Sequence, residues 1–335
     1  MRWLWLVVVG ALWAPVRGGL VVEAPPGLGD AAADCAACHP AEAAAWAGSR
    51  HAAASSNPMF RASWDRSPDG WCLGCHEPLV RGQEALIGAA AAAGQRRAAV
   101  GVGEGVSCAV CHVDGGVVLT GADPSPGAEA AHPVRSEPEL GTAMCARCHE
   151  FPFQNHTPNG PFTLGDEPAQ STVSEWARSD AAARGETCAG CHLPAGDHSF
   201  PGAHLGDLWE GLLAVEGVRQ EGAVAVTLRG DLPHAVPGGD PFRRLELRLC
   251  GDRRCRRVVG KLELRRVYAP DATTWRLRSD TTLPPSSGGP TEVTHVVPVT
   301  ADAVGWELWL LYGERKLEAG LPASEVGRRV DAGRW

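Results

Sequence analysis

Cys35-Ala36-Ala37-Cys38-His39 recurs four more times along the chain, as Cys72-Leu73-Gly74-Cys75-His76, Cys108-Ala109-Val110-Cys111-His112, Cys145-Ala146-Arg147-Cys148-His149 and Cys188-Ala189-Gly190-Cys191-His192. The five copies take ten of the twelve cysteines. Two thiols at this spacing can add across the two vinyl groups of one haem, and the His that follows then reaches the iron from one face. Zinc ribbons and thiol redox sites also use Cys-x-x-Cys, but neither needs a His fixed at the next position. Five copies with that His predict five covalently attached c-type haems. His39, His76, His112, His149 and His192 are then the proximal iron ligands.

Those histidines are separated by 37, 36, 37 and 43 residues, an internal repeat whose unit is one haem. It places a pentahaem cytochrome c domain over residues 30–212, made of short helices and irregular loops packed on haems. With only 6% aromatic residues, and 41 Gly and 26 Pro among 335 residues, a conventional apolar core would be thin. Porphyrin rings offer the missing apolar surface. Pro40 followed by Ala41-Glu42-Ala43-Ala44-Ala45-Trp46 predicts a helix, and the Ala-rich stretch 83–99 predicts another. Thr172-x-x-Glu175 reads as a capping box ahead of Trp176. The Gly- and Pro-rich segment 113–138 reads as a loop.

The start of the chain, Met1-Arg2-Trp3-Leu4-Trp5-Leu6-Val7-Val8-Val9, has one positive charge and an apolar run too short for a comfortable membrane span. Residues 1–18 are expected to be a signal peptide, and the mature protein to be periplasmic without a stable membrane span. No Cys within the first thirty residues offers a lipid anchor. Export agrees with the haem reading, because c-type haem is attached outside the bacterial cytoplasmic membrane. The net charge of −8 is uneven: residues 1–210 carry 12 Arg and no Lys against 23 acids, and the remainder carries 19 basic and 16 acidic residues. Nucleic-acid binding is not indicated. An acidic haem domain suits steering toward a basic patch on a redox partner protein.

After residue 215 the pattern changes to period two. Val224-x-Val226-x-Leu228, Leu245-x-Leu247-x-Leu249, Leu262-x-Leu264, Trp275-x-Leu277, Val297-x-Val299 and Trp306-x-Leu308-x-Leu310 alternate apolar with polar between Pro- and Gly-rich turns. An all-β, sandwich-like domain over 215–335 is the expectation. Cys250 and Cys255 lie between two of these strands. Position 256 is Arg where a wider haem motif would need His, so a disulfide closing a hairpin loop is expected.

The sixth iron ligand decides between an electron carrier and an enzyme. Seven histidines lie outside the motifs, and His51, His132, His156, His198, His204 and His234 are candidate distal ligands; His295, in a strand-like run, is read as structural. The count permits full bis-histidine ligation. Among the methionines, Met144 abuts Cys145 and cannot easily fold over its own haem, while Met59 has no distinguishing context.

Trp46-x-x-Ser49-x-His51 and Gly105-Val106-Ser107-Cys108-Ala109-Val110-Cys111-His112 resemble the multihaem cytochrome c family that includes the tetrahaem electron carriers partnering hydroxylamine oxidoreductase. Glu175-Trp176-x-x-Ser179 ahead of the fifth motif, with His198-x-Phe200-Pro201-Gly202-x-His204 after it, is similar to the last haem segment of related proteins. Some of those carry a β-rich C-terminal domain with a His-x-x-Pro-x-Gly turn, matched here by His234, Pro237 and Gly239. The resemblance implies closely spaced haems passing electrons through the periplasm. Two enzymatic devices of related proteins are missing. No Cys-x-x-Cys-Lys motif is present, and the only tyrosines, Tyr268 and Tyr312, lie in the β-domain, away from any haem motif. Periplasmic one-electron transfer through five haems is therefore the expected function. The alternatives are a haem oxidoreductase acting on a small nitrogen or sulfur oxyanion at one five-coordinate haem, and a docking subunit that binds through the β-domain.

Overall fold

A computed structural model describes residues 22–66, 70–79, 83, 103–121, 131–138, 140–155, 163–204 and 207–335. The expected signal peptide, His156 and nearly all of the helix expected over 83–99 lie outside the described residues. The chain divides into two compact units, one formed by residues 1–44, 51–57 and 64–148, the other by residues 45–50, 58–63 and 149–335.

Short helices dominate the first unit: Ala32–Ala36, Gly70–His76, Cys108–His112 and most of Leu140–His149. The helix expected after Pro40 runs over Pro40–Ala47. The expected loop at 113–138 is partly a small sheet. Strand β1 (Val113–Asp114) pairs antiparallel with β2 (Val117–Thr120), which pairs parallel with β3 (Val134–Ser136). Gly115 and Gly116, with φ of 55° and 75°, supply the two left-handed residues of a tight hairpin turn. The glycines that read as a loop are the turn of a hairpin. Among the described residues of this unit, Leu79, Ala109 and Val110 form one buried cluster, with Val22, Val106 and Val113 against it.

The second unit is rich in strands. β4 (Glu150–Asn155) and β5 (Thr163–Ser171) make a two-stranded antiparallel sheet. The later strands are β6 (Ala214–Gln220), β7 (Ala223–Gly230), β8 (Arg244–Cys250), β9 (Val258–Asp271), β10 (Thr274–Asp280), β11 (Thr291–Pro298), β12 (Gly305–Leu311) and β13 (Gly327–Arg334). They form a five-stranded sheet in the order β10-β9-β8-β12-β13 and a three-stranded sheet in the order β11-β7-β6, every pairing antiparallel. Val224, Val226 and Leu228 from one sheet share a core with Leu245, Leu247, Leu249, Leu308 and Leu310 from the other. Each such fully buried Leu contributes about 1.5–3 kcal/mol. The opposite face of β8 carries charge, where buried Glu246 pairs with Arg248 at 2.5 Å and Lys261 at 3.1 Å. Cys250 and Cys255 are joined, their Cα atoms 4.7 Å apart.

The capping box expected at Thr172 does not form. The helix Thr172–Ala177 has Ser171 as its N-cap residue, and its free Val173 and Ser174 amides donate to Glu150 Oε2, both at 3.0 Å. Glu175 instead accepts from the Ser171 hydroxyl at 2.6 Å, the Arg266 guanidinium at 2.5 Å and the Ala235 amide at 3.0 Å, partners that satisfy a buried carboxylate.

Candidate haem sites

A helix carries residues i, i+3 and i+4 on one face. The helices Gly70–His76, Cys108–His112, Leu140–His149 and Cys188–His192 each hold a complete motif, so two sulfurs and one imidazole emerge on one side. In the first motif the same geometry is reached through a turn, with the His39 amide donating to the Cys35 carbonyl at 2.9 Å.

Backbone carbonyls set the tautomer of several imidazoles. His76 Nδ1 donates to the Ala54 carbonyl at 2.9 Å, His112 Nδ1 to Leu119 at 2.8 Å and His192 Nδ1 to Pro201 at 2.7 Å. A carbonyl can only accept, so the proton sits on Nδ1 and Nε2 keeps the lone pair that a metal needs.

Among the described residues, His39 and His192 each face a second imidazole. His39 lies opposite His132, with ring centroids 6.4 Å apart and planes at 41°. His192 lies opposite His234, again at 6.4 Å, with planes 16° apart. An ion bound on both sides by imidazole needs centroids roughly 6 Å apart, from two metal–nitrogen bonds of about 2 Å and a ring radius of about 1 Å on each side. Both pairs have that spacing. His132 Nδ1 is buried without a hydrogen-bond partner, and an orphan nitrogen on a ring facing His39 suits a metal ligand. His234 is held by its own loop: Nδ1 donates to the Ala235 carbonyl at 3.0 Å, and the Ala235 amide is fixed by Glu175. The donor set therefore fits haem, with two thiols and one imidazole per motif and a facing imidazole at the first and fifth.

The sulfurs also show which motifs are neighbours. Cys108 hydrogen-bonds Cys35, which lowers the Cys35 thiol to about 7 and pushes Cys108 up. The same contact between Cys75 and Cys148 lowers the first and raises the second. The first motif thus adjoins the third, and the second adjoins the fourth.

The other candidates have different surroundings. His51 lies where the chain approaches the third motif: its carbonyl accepts the Val106 amide at 2.9 Å, and a Cβ on Gly105 would come within 2.3 Å of it. His198 Nδ1 donates to the Gly196 carbonyl at 2.8 Å, and its ring meets the edge of Phe200. His204 reverses the pattern. Its Nδ1 accepts from Arg50 Nη2 at 2.6 Å, which puts the proton on Nε2, and its ring stacks 3.6 Å from Tyr312. Burial, then the charges of Arg50, Arg243 and Arg328, push its pKa down to about 3, so the ring stays neutral. His295 is in β11, paired with Val226, and Met59 packs its sulfur toward Gly313. Sequence reading missed the part played by Glu175 in holding the His234 loop. Glu175 is 3% exposed and sixty residues from that loop, and the one visible signal, a carboxylate three residues after Thr172, pointed to capping instead.

Among known proteins, residues 34–113 match the family described as cytochrome c554 and c-prime. No curated protein matches significantly. The chain has the fold of a penta-haem cytochrome c552 from Thermochromatium tepidum, with a TM-score of 0.61 and 20% identity, over 89% of this chain and 96% of that one. No helix among the described residues is long and apolar enough to cross a membrane. The chain is thus similar to the cytochrome c554 and c-prime family over residues 34–113 and shares its fold with a penta-haem cytochrome.

Proposed function

We propose that the protein carries electrons singly through five covalently attached haems in the periplasm. The observation that carries this reading is the facing of His39 with His132 and of His192 with His234 at the spacing of a six-coordinate iron. Bound haem supplies one-electron exchange at iron. The motif cysteines would hold each ring by two thioethers, backbone carbonyls fix the tautomer of His76, His112 and His192, and the imidazoles facing His39 and His192 would close the far face there. A closed far face leaves no position for a substrate and favours low potential. Adjacency of the first motif with the third, and of the second with the fourth, supports transfer between neighbouring haems.

In this reading residues 1–18 direct export, residues 30–212 form the pentahaem domain, and residues 215–335 form a sandwich-like domain whose Cys250–Cys255 disulfide suits an oxidising compartment. His51 and His198 are further distal candidates, and the redox partners are proteins. Electron paramagnetic resonance of the oxidised protein tests the proposal by counting low- and high-spin haems. Five low-spin haems are expected. A high-spin haem that binds nitrite, hydroxylamine or cyanide would instead favour a haem oxidoreductase.

A further inference from the structure

The second unit contains a group of arginines that haem ligation does not use. Arg50 Nη2 donates to His204 Nδ1 and, at 2.8 Å, to Glu325 Oε2. Arg243 Nη1 donates to the Gly238 carbonyl at 2.5 Å, while its Nε is buried without a hydrogen-bond partner. Arg50, Arg243 and Arg328 all act electrostatically on both His204 and Tyr312. The opposing carboxylates are Glu325 on Arg50 and Asp240 near Arg243. Arg243 is thus a buried guanidinium with one donor left unmatched. A buried, incompletely paired charge is costly to maintain. An anion with planar oxygens would accept from Arg243 Nε through the charge-assisted bonds that guanidinium makes best. The cluster is also close to a proposed iron ligand. A Cβ on Gly238 would lie 3.1 Å from His234 Nδ1, and Gly238 is the residue whose carbonyl holds Arg243.

We propose that Arg243, with Arg50 and Arg328, forms a binding site for a carboxylate or similar oxyanion beside the His192–His234 pair. The anion has two possible sources, a propionate of the haem at that pair or a small anion from solution, and the first rests on the haem reading above.

The test uses holoprotein, wild type and R243Q, with haem per chain measured first. A propionate source predicts that R243Q keeps its haems but lowers the midpoint potential of one of them, because losing a nearby positive charge favours ferric iron; R243K stays near wild type. A solution source predicts one-to-one binding of formate to wild type by calorimetry, weakened at least tenfold in R243Q. If R243Q does not accumulate, R50Q, at a half-exposed position, carries the same two readouts. Unchanged potentials together with no formate binding by wild type overturn the site. Wild type without haem would overturn the electron-transfer reading and the propionate source, and formate binding would then decide the site alone.

Discussion

The imidazoles of His192 and His234 lie nearly parallel, 16° between planes and 6.4 Å between centroids, although forty-two residues separate them in the chain. On the proposed ligation, replacing His234 would open the sixth coordination position of one haem. The variant His234→Ala is expected to convert one haem from low to high spin and to let it bind carbon monoxide when reduced; His132→Ala should do the same to a different haem. His204→Leu should leave the low-spin count unchanged, since its Nδ1 accepts from Arg50 and its Nε2 carries the proton. Magnetic resonance and visible spectra of the three variants check this. A high-spin haem in His204→Leu would contradict the tautomer argument.

Glu175 holds the His234 loop through the Ala235 amide and neutralises Arg266, with its own side chain 5% exposed and that of Arg266 14% exposed. Glu175→Gln removes one of two carboxylates on a largely buried guanidinium, Asp280 remaining at 3.0 Å, and losing one charge-assisted bond of this kind costs about 1.5–3 kcal/mol. Urea unfolding followed by far-ultraviolet dichroism should register that loss. The same variant should also weaken the His234 spectroscopic signature, which a purely global destabilisation below the unfolding midpoint would not.

The Cys250–Cys255 link closes a loop of sequence separation 5. For so short a loop the entropic contribution is about 2 kcal/mol. The double variant Cys250→Ser, Cys255→Ser should therefore lower thermal stability modestly and leave haem content unchanged. A fall in haem content would show that these cysteines do more than staple the hairpin.

The chain has two tyrosines, and burial raises both. Tyr268 goes to about 12 despite the opposing pull of Arg266, and Tyr312 rises despite Arg328, Arg50 and Arg243. A folded-state pKa above that of the unfolded chain means the fold keeps the proton longer. The associated stability is complete below about pH 10, the unfolded value, and falls as pH climbs through the folded values. Spectrophotometric titration should show phenolate appearing later than in denatured protein, and Tyr268→Phe should remove the last step. Phenolate in the native protein at its denatured midpoint would refute the burial argument.

Much of the architecture was legible because its signals are local. The alternation of Leu245, Leu247 and Leu249 gave β8 directly, and its neighbours followed in the same way. The motif spacing placed two sulfurs and one imidazole on a single face, since i, i+3 and i+4 need only one turn of helix. β6 and β13 were not anticipated: Ala214–Gln220 and Gly327–Arg334 are edge strands, largely solvent-facing, and carry no strong apolar period. The pairing of His39 with His132 was beyond reach too, because it depends on how separate segments fold back on each other. The difference between His234 and His204 was hidden as well, because it lies in whether Nδ1 meets a carbonyl or an arginine from elsewhere in the fold.

The placement of His132 opposite His39 bears on how the molecule is built. A chain threaded outward from its N-terminus presents the first Cys-x-x-Cys-His long before residue 132 has emerged. On the ligation proposed here, thioether formation at Cys35 and Cys38 can precede the arrival of the opposite imidazole, so the newly attached haem waits with one face open. The fifth site waits for a shorter time, but until residue 234 has arrived and its loop has closed. Maturation would then pass through transient, ligand-accessible haems, and the closed array would be the product of the last segments to fold.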